Sequence, residues 1–458
     1  MPEKLNTNSE TLEKPASFGE ILETIDSTNI EVYKQLNNTN KVAKEEFLTN
    51  PEMIKPNIEY GNLQPETILD NLSTLIGLKN GMAEMNISSQ EKHLATILMD
   101  DAFNKNDFVA ANISYNLAKT PEEKAEIAPL HKEANERLYD KPDEATFYSL
   151  LKDDLTKIKV DSLSAEDKKE YDQLLREIGP IPEEKTERFK PKQETIDRFS
   201  DMVSTLFEGF FKHIPEGKDE FTTREACAIA NEIIIEEIGE DATEYRAVMD
   251  SDISNCSVSH DKRSVKFPVE RAAGNFSRKD LEKILAHELG THAFRAINYE
   301  NSDVYALSHA MPGNEEIDEG IAKCCEQAID RKYEDAGIEH YLNIGFANFK
   351  DKNFREIYEI NQKLLHLQEI NPDNSPEDVA AIKKRQNKCF NDVVRCFRGT
   401  AELPNNKDLV YYNGANKVWQ YIEKNIDDPN LMDNLFLSGK SNIFDKAQQQ
   451  FVYETKVS

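Results

Sequence analysis

The sequence predicts an α+β protein that is predominantly helical, with a small β-sheet in its second half. Apolar residues recur at helical spacing over most of the chain after about residue 64. Three short β-branched runs, EYRAVM, ISNCSVS and RSVKFPV, stand close together and are separated by polar turns. The segment that follows them, RKDLEKILAHELGTHAFRAIN, has the pattern of one amphipathic helix. A few strands beside a long helix, in an otherwise helical chain, favour an α+β layout.

Composition divides the chain into three parts. Residues 1–55 are rich in Asn, Thr, Glu and Lys, which predicts a variable, partly disordered extension with one or two short helices. Residues 56–195 are predicted to form a helical N-terminal part that ends in a charged, Pro-rich connector. Residues 196–458 are predicted to form one core, which contains the three strand-like runs and the long helix.

Two capping patterns mark where helices of this core begin. Thr222 with Glu225 has the spacing of a capping box and predicts a helix through CAIANEIIIEEIG. Ser277 with Asp280 predicts the start of the helix over 278–298.

Charge and cysteine content narrow the class of protein. The formal net charge is −29, and so acidic a chain lacks the basic footprint that nucleic-acid binding needs. No run of about eighteen apolar residues exists to span a bilayer. The N-terminal residues MPEKLNTNSE match neither an export signal nor a transit peptide, and the six cysteines include no CxxC pair. We therefore expect a cytoplasmic protein that binds neither nucleic acid nor membranes.

The helix predicted over 278–298 contains the sequence HELGTH, in which His287, Glu288 and His292 stand together. Neutral imidazoles are good zinc ligands, and a glutamate beside the first one can deprotonate a water molecule. However, histidines five residues apart point about 140° away from each other on a regular α-helix. A shared ion therefore requires an i→i+5 bulge around 289–291, which Gly290 would permit.

A zinc site needs a third protein ligand, and an acidic residue on a following helix is a common solution. The segment EEIDEGIAKCCEQAID comes next and offers four carboxylates, Glu315, Glu316, Asp318 and Glu319. Asp318 could cap that helix, and the glutamates could be solvated acids near its N-terminus. Spacing alone does not choose among them. Cys324 and Cys325 fit the buried face of the same helix.

Five strings in this chain resemble one known family. They are HELGTHAFRAIN, DEGIA, ERLYDKPDEATFYSLL, RCFRG and KDLVYYNG. Together they are similar to a zinc carboxypeptidase family, long catalogued in bacteria as a domain of unknown function, whose animal members are the microtubule-associated tyrosine carboxypeptidases. The resemblance covers about residues 136–425 and implies a zincin-like metallopeptidase core with the small sheet beside the HExxxH helix. It also implies that Glu319 is the third zinc ligand.

The resemblance is incomplete in two places. Asp140 stands where the family has glycine, and Pro404-Asn405-Asn406 replace its Gly-Gly and Thr. The first hundred residues show no similarity. The local loops, and with them part of substrate selection, can therefore differ from those of the family.

The resemblance implies a carboxypeptidase that holds one Zn²⁺ per chain and releases the C-terminal residue of a peptide or protein. Such an enzyme must bind a free carboxylate, which a guanidinium does with two hydrogen bonds. The candidates are Arg295, Arg395 and Arg398, and a tyrosine, Tyr411 or Tyr412, could assist at the oxyanion. The alternatives are a zinc endopeptidase or aminopeptidase, or a regulatory or binding protein without catalysis.

The tubulin substrate of the animal relatives is not expected here. Tubulin tails are acidic, and a chain with a net charge of −29 and no basic extension has no means of attracting them.

Overall fold

The chain, described here from a computed structural model, is mostly helical with two small sheets, which confirms the predicted α+β class. The described residues are 17–36, 41–60, 64–184, 186–239, 244–251, 253, 255–271, 274–299, 310–370 and 379–457. Within these ranges, none of the helices is long and apolar enough to cross a membrane.

The chain folds into two compact units. The first unit contains the described residues of Met1–Lys185 and Leu342–Lys407, and the second unit contains those of Thr186–Tyr341 and Asp408–Ser458. The first boundary falls inside the charged, Pro-rich segment where the sequence predicts a connector. The sequence predicts one continuous core over 196–458, however, whereas the chain leaves the second unit at Tyr341 and re-enters it at Asp408.

The reason for this difference is apolar packing within the first unit. The ring of Phe346 packs edge-on against Phe147, with centroids 5.3 Å apart. A Cβ atom at Gly345 would lie 2.1 Å from the Phe147 ring, so only glycine allows this approach. Phe354 likewise packs against Phe47 with centroids 5.0 Å apart. Periodicity shows that a helix has an apolar face, but not which distant helix covers it.

The described part of the predicted N-terminal extension, 1–55, is helical and packed. Ile21, Leu36 and Phe47 are each 0% exposed. Residues 1–16 and 37–40 lie outside the described ranges.

In its described residues the first unit contains helices and no strand. Their bounds are Phe18–Thr28, Val32–Leu36, Lys41–Thr49, Pro65–Gly81, Ser89–Leu117, Pro121–Tyr139, Glu144–Leu155, Ala165–Ile178, Phe354–Glu369 and Val379–Cys396, with short 3₁₀ turns at Met82–Glu84 and Val160–Ser162. The helix Ile338–Phe349 begins in the second unit and ends in the first.

The second unit combines helices with both sheets. Its α-helices are Gln193–Leu206, Glu208–Phe211, Thr223–Ile233, Arg278–Ile284, Phe294–Ile297, Asn314–Asp330, Leu409–Asn425, Leu431–Phe436 and Lys446–Val457, and π-helical segments span Ile234–Gly239 and Leu285–Ala293. Both predicted helix starts are confirmed. Thr222 and Glu225 form a reciprocal capping box, and the Ser277 hydroxyl accepts from the Asp280 N–H at 3.1 Å.

The strands of this unit are β1 (Glu220–Phe221), β2 (Arg246–Asp250), β3 (Ser257–Ser259), β4 (Ser264–Pro268) and β5 (Phe276–Ser277). β1 and β5 form an antiparallel pair. In the larger sheet β4 is central, parallel to β2 and antiparallel to β3. The three predicted strands are therefore confirmed. β3 and β4 pack against the π-helical segment that carries the HELGTH sequence, so the sheet supports one side of that helix.

The apolar core of the second unit surrounds the same helix. Leu281, Leu285 and Leu289 lie in it, each no more than 1% exposed. Trp419 is fully buried in this core, and its indole N–H donates to the side chain of Gln327 at 2.9 Å. The candidate histidines therefore stand on a helix that is fixed from several sides.

Candidate metal centre

Three consecutive segments form one continuous helix, which we call the histidine helix: Arg278–Ile284, Leu285–Ala293 and Phe294–Ile297. The middle segment is a π-helix with i→i+5 hydrogen bonds, and the Phe294 N–H donates to the carbonyl of Leu289. The Thr291 hydroxyl adds a bond to the carbonyl of Ala286 at 3.0 Å. The predicted bulge around 289–291 is confirmed, and it is longer than predicted.

The widened turn places His287 and His292 on the same face of the helix. Residues five apart come one turn apart when the hydrogen bonds run i→i+5. The two ring centroids are 4.8 Å apart, and both side chains are 10% exposed. The ligand-type atoms of His287, Glu288 and His292 all lie within 4.8 Å of one another.

Gly290 is needed at this turn for a reason that the sequence did not reveal. A Cβ atom there would lie 2.5 and 2.6 Å from two ring carbons of Phe207. The glycine therefore lets an aromatic ring pack directly on the widened backbone, on the side away from the histidine pair. Close packing, in addition to backbone freedom, accounts for this residue.

The helix Asn314–Asp330, which we call the carboxylate helix, brings acidic side chains to the histidines. It begins at Asn314, so Asp318 lies inside the helix and not at its cap. Gly320 lets this helix cross close to Gly414, because a Cβ atom at Gly320 would lie 2.4 Å from the Gly414 carbonyl oxygen. Glu319 is the neighbour of Gly320 at this close crossing.

Glu319 faces both imidazoles. Its Oε2 atom lies 3.7 Å from Nε2 of His287 and 3.9 Å from Nε2 of His292. The same oxygen is buried and has no hydrogen-bond partner among the described residues. A buried carboxylate oxygen without a partner is costly, and it requires an explanation such as an ion.

The three atoms have the composition and spacing of a zinc site. Zinc binds imidazole nitrogen and carboxylate oxygen at about 2.0–2.2 Å, which puts tetrahedral ligand atoms about 3.4 Å apart. The two measured distances exceed this by only a few tenths of an ångström. Of the four carboxylates that the sequence leaves open, Glu319 is the one whose oxygen faces the Nε2 atoms of both histidines. Glu316 instead pairs with Lys417 at 2.6 Å.

The other ring nitrogen of His287 is held by Glu326. Nδ1 lies 2.5 Å from Oε1 of Glu326, and Lys323 approaches both oxygens of that carboxylate at 3.0 and 3.1 Å. Burial raises the pKa of Glu326, but His287 and Lys323 outweigh it and lower the pKa to about 2. An ionised carboxylate only accepts, so Nδ1 carries the proton that it donates to Glu326, and Nε2 is the ring nitrogen that faces Glu319.

Asp318 holds His292 in the same way, but this carboxylate is more buried than that of Glu326. Nδ1 lies 2.6 Å from Oδ2 of Asp318, which also accepts from Lys440, while Arg295 donates to Oδ1. Burial raises the pKa of Asp318, but Lys440, His292 and Arg295 hold it well below its ordinary value. A histidine whose far nitrogen donates to a carboxylate is the usual arrangement around zinc.

Glu288 is 7% exposed and lies beside His287 on the sheet side of the site. Burial and the charge of Glu288 together raise the pKa of the Cys256 thiol to about 12, which places the carboxylate near the chain just before β3. Cys256 is therefore a neutral thiol, and all six cysteines are free.

The three arginines predicted to bind substrate lie in different surroundings. Arg295 is 0% exposed and is engaged by Asp318, and its Nη2 also donates to the carbonyl of Ser441 at 3.3 Å. It therefore belongs to the support of His292. Arg395 and Arg398 belong to the first unit, whereas the histidines belong to the second.

Neither tyrosine considered for the oxyanion has a described contact to the histidines. The Tyr412 side chain is buried, hydrogen-bonds with Arg188 and packs against the ring of Tyr341 at 5.0 Å between centroids. Tyr411 packs on Gly337, and its ring lies 5.8 Å from that of His340.

Three segments of the family-like pattern meet inside the first unit. Asn406 donates to the carbonyl of Asp140 at 2.8 Å, and Asn405 donates to the carbonyl of Arg398 at 3.3 Å. Asn405 and Asn406 belong to the loop that departs from the family pattern, yet they are 1% and 0% exposed. Asp140 has φ 62° and ψ 177°, a backbone region that favours glycine, the residue of the family at this place.

Several residues of the centre were missed by the sequence reasoning. Lys323 and Glu326 could have been found, because they lie one turn and two turns beyond Glu319, respectively, on the same helix face. Lys440 gives no local signal, since it is 122 residues from Asp318.

Two other groups of side chains in the described ranges have metal-ligand composition. Asp167, Glu170 and His366 form one, and His213, Glu236 and Glu237 form the other. Both are more exposed than the histidine pair. Glu237 of the second group already forms an ion pair with Lys212 at 2.7 Å, so a lysine supplies the positive charge there.

Comparison of the whole chain with known proteins gives no further guide to the site. No family model, no curated protein and no solved structure matches it.

Proposed function

We propose that this chain is a zinc-dependent carboxypeptidase with a zincin-like core. One observation carries the metal centre: two Nε2 atoms converge within 3.9 Å on a buried carboxylate oxygen that has no other partner in the described ranges. His287, His292 and Glu319 would hold the ion. The restriction to C-termini is supported by the resemblance of the sequence motifs to a carboxypeptidase family.

The residues of the site have distinct roles in this proposal. A bound zinc ion supplies a Lewis acid that polarises a carbonyl and acidifies water. Glu288 accepts a proton from the attacking water and passes it to the leaving amine. Asp318 and Glu326 fix the tautomers of the two histidines, because each accepts the Nδ1 proton of one ring.

The first test is the metal content of the purified protein. We expect one zinc per chain in the wild type, and loss of that zinc in His292→Ala, because two remaining ligands hold the ion poorly. His366→Ala is the control. His366 forms a group of metal-ligand composition with Asp167 and Glu170 in the first unit, whereas the proposed ligands belong to the second. Equal zinc retention in both variants would refute the assignment of the ligands.

The second test is the requirement for a free C-terminus. Two peptides of the same sequence, one ending in a carboxylate and one amidated, are incubated with the zinc-loaded protein, and the products are identified by mass spectrometry. We expect release of one residue from the first peptide alone, because only a carboxylate offers two acceptor oxygens to a guanidinium. Equal cleavage of both peptides would favour an endopeptidase or aminopeptidase.

Arg395→Ala and Arg398→Ala are assayed on the same two peptides. Loss of the preference for the free carboxylate in one variant, with zinc content unchanged, would identify the arginine that binds it. A charge-assisted hydrogen bond of this kind contributes about 1.5–3 kcal/mol, so kcat/KM is expected to fall by about ten- to 150-fold. The substrate in the cell is a peptide or protein C-terminus, and an acidic tubulin tail is disfavoured by the charge of −29.

A further inference from the structure

The Asp318 carboxylate has more partners than a hydrogen bond to one histidine requires. It accepts from His292, Arg295 and Lys440. Among these side chains Arg295 is 0% and Lys440 1% exposed, and Asp318 itself is 8% exposed. Two cations and an imidazole are thus buried around a single anion.

Folding stability alone does not account for this arrangement. Removing charges from water costs several kcal/mol per ion, and buried ion pairs can often be replaced by apolar side chains without loss of stability. Burial lowers the pKa of Lys440, and the charges of Asp318 and Glu319 oppose that shift.

The backbone holds both cations in place. The carbonyl of Lys440 accepts from the N–H of Met311 at 2.8 Å, just before the carboxylate helix begins. Arg295 donates to the Ser441 carbonyl at 3.3 Å and to the Ser438 hydroxyl at 3.4 Å. The segment 438–441 is therefore tied to the ends of both helices that carry the metal ligands.

We propose that Arg295 and Lys440 are positioning residues of the metal centre. They hold Asp318 against Nδ1 of His292, and this fixes the ring so that its Nε2 atom faces Glu319. The inference rests on the function proposed above. It assigns a role in metal binding to a residue of the C-terminal segment that no sequence motif marks.

Lys440→Met tests the inference, because it removes the ammonium group and keeps an unbranched apolar stem. Zinc affinity is measured by competition with a chromophoric chelator, and the absorption spectrum of the Co²⁺-substituted protein reports the geometry of the ligands. We expect zinc affinity to fall by about 10–100-fold, the usual effect of removing a group that orients a histidine ligand, and the Co²⁺ spectrum to change. Lys440→Arg is expected to restore most of the affinity.

Lys417→Met is the matched control. Lys417 pairs with Glu316 of the same carboxylate helix at 2.6 Å, but its side chain is 47% exposed. We expect this variant to bind zinc like the wild type. Should Lys440→Met fail to fold, Lys440→Gln, which keeps a hydrogen-bond donor, carries the same expectation with a smaller loss.

The outcomes separate the two proposals. A wild type that binds no zinc refutes the proposed function. A wild type that binds zinc, with Lys440→Met or Lys440→Gln equal to it in affinity and in Co²⁺ spectrum, overturns the positioning role alone. A variant that is less stable without metal but binds zinc normally overturns it too, because Lys440 would then be a structural residue.

Discussion

The carboxylates of Asp318 and Glu402, one in each compact unit, have similar partners but different surroundings. Each accepts hydrogen bonds from two cationic side chains and from one aromatic side chain, which is His292 for Asp318 and Tyr115 for Glu402. For Glu402 the cations are Lys55 and Lys124, the latter at 2.8 Å, and the ring is Tyr115, whose hydroxyl donates at 2.5 Å. Both carboxyl groups have pKa values below the ordinary range, because their cations outweigh the effect of burial.

The two sites differ in whether the aromatic side chain has a second polar atom on its far side. Tyr115 has donated its one hydroxyl proton, so the network of Glu402 ends there, and Glu402 is 27% exposed. His292 has a second nitrogen, and that nitrogen faces Glu319, whose Oε2 has no partner in the described ranges. The number of charged partners is therefore the same at both carboxylates. What sets the second unit apart is the carboxylate next to Asp318, because Oε2 of Glu319 is the one buried carboxylate oxygen without a partner in the described ranges.

The largest effect is expected for Glu288→Gln, which changes a carboxylate of the proposed metal centre. The variant should keep its zinc, because the proposal makes Glu288 the general base and not a ligand, while kcat/KM falls by about 10²–10⁴-fold, the usual contribution of a positioned general base. Glu402→Gln is the control and should turn over substrate normally once folded. Near-normal hydrolysis by Glu288→Gln would remove this residue from the mechanism.

Gly290→Ala tests whether close packing supports the widened helix. The added methyl group would overlap the Phe207 ring at 2.5 Å, and overpacking of this kind costs about 1–3 kcal/mol. We expect a lower melting temperature and weaker zinc binding. Combining Gly290→Ala with Phe207→Leu should recover part of both losses, and no recovery would mean that Phe207 is not the cause.

Neutralising Glu402 and neutralising Glu319 are expected to change the stability of the metal-free protein differently. Glu402→Gln weakens charge-assisted hydrogen bonds to Lys55, Lys124 and Tyr115 and should lower the free energy of unfolding by about 1 kcal/mol. Glu319→Gln removes a buried charge whose Oε2 has no partner, and should leave stability unchanged or raise it. Thermal unfolding of both variants after chelator treatment measures the difference. Equal destabilisation by both would show that Glu319 is a structural residue.

The smallest effect concerns pH. The pKa of Glu402 is lowered from 4.5 to about 2, since Lys124, Lys55 and Tyr115 outweigh the effect of burial. A depressed carboxyl pKa contributes stability that is complete above the ordinary value and is lost as pH falls toward the folded one. The difference in stability between wild type and Glu402→Gln should therefore be constant above about pH 5 and shrink toward about pH 2. A difference independent of pH would mean that Glu402 is not ionised.

Much of the local structure was predictable because the signals are local. Thr222 and Ser277 cap helices through residues three positions away, and Cys324 and Cys325 lie fully buried as their helix pattern predicts. The boundaries of the units were less accessible. Phe346 and Phe354 lie in ordinary amphipathic helices, and only their packing against Phe147 and Phe47 assigns residues 342–407 to the first unit.

The sequence by itself predicted that the histidine helix widens if its two histidines share an ion. Two histidines five residues apart cannot share an ion on a regular α-helix, and this geometric conflict has a local solution, the i→i+5 turn over Leu285–Ala293. Spacing left the choice among Glu315, Glu316, Asp318 and Glu319 open, because neighbouring acids on one helix have similar local chemistry.

Only the tertiary structure shows which carboxylate faces which imidazole nitrogen. Glu319 faces the Nε2 atoms, and Asp318 faces Nδ1 of His292. The tertiary structure also brought Lys440 to Asp318 across 122 residues of chain. Periodicity specifies the faces of each helix, but which side chains meet depends on packing between segments that are far apart in the sequence.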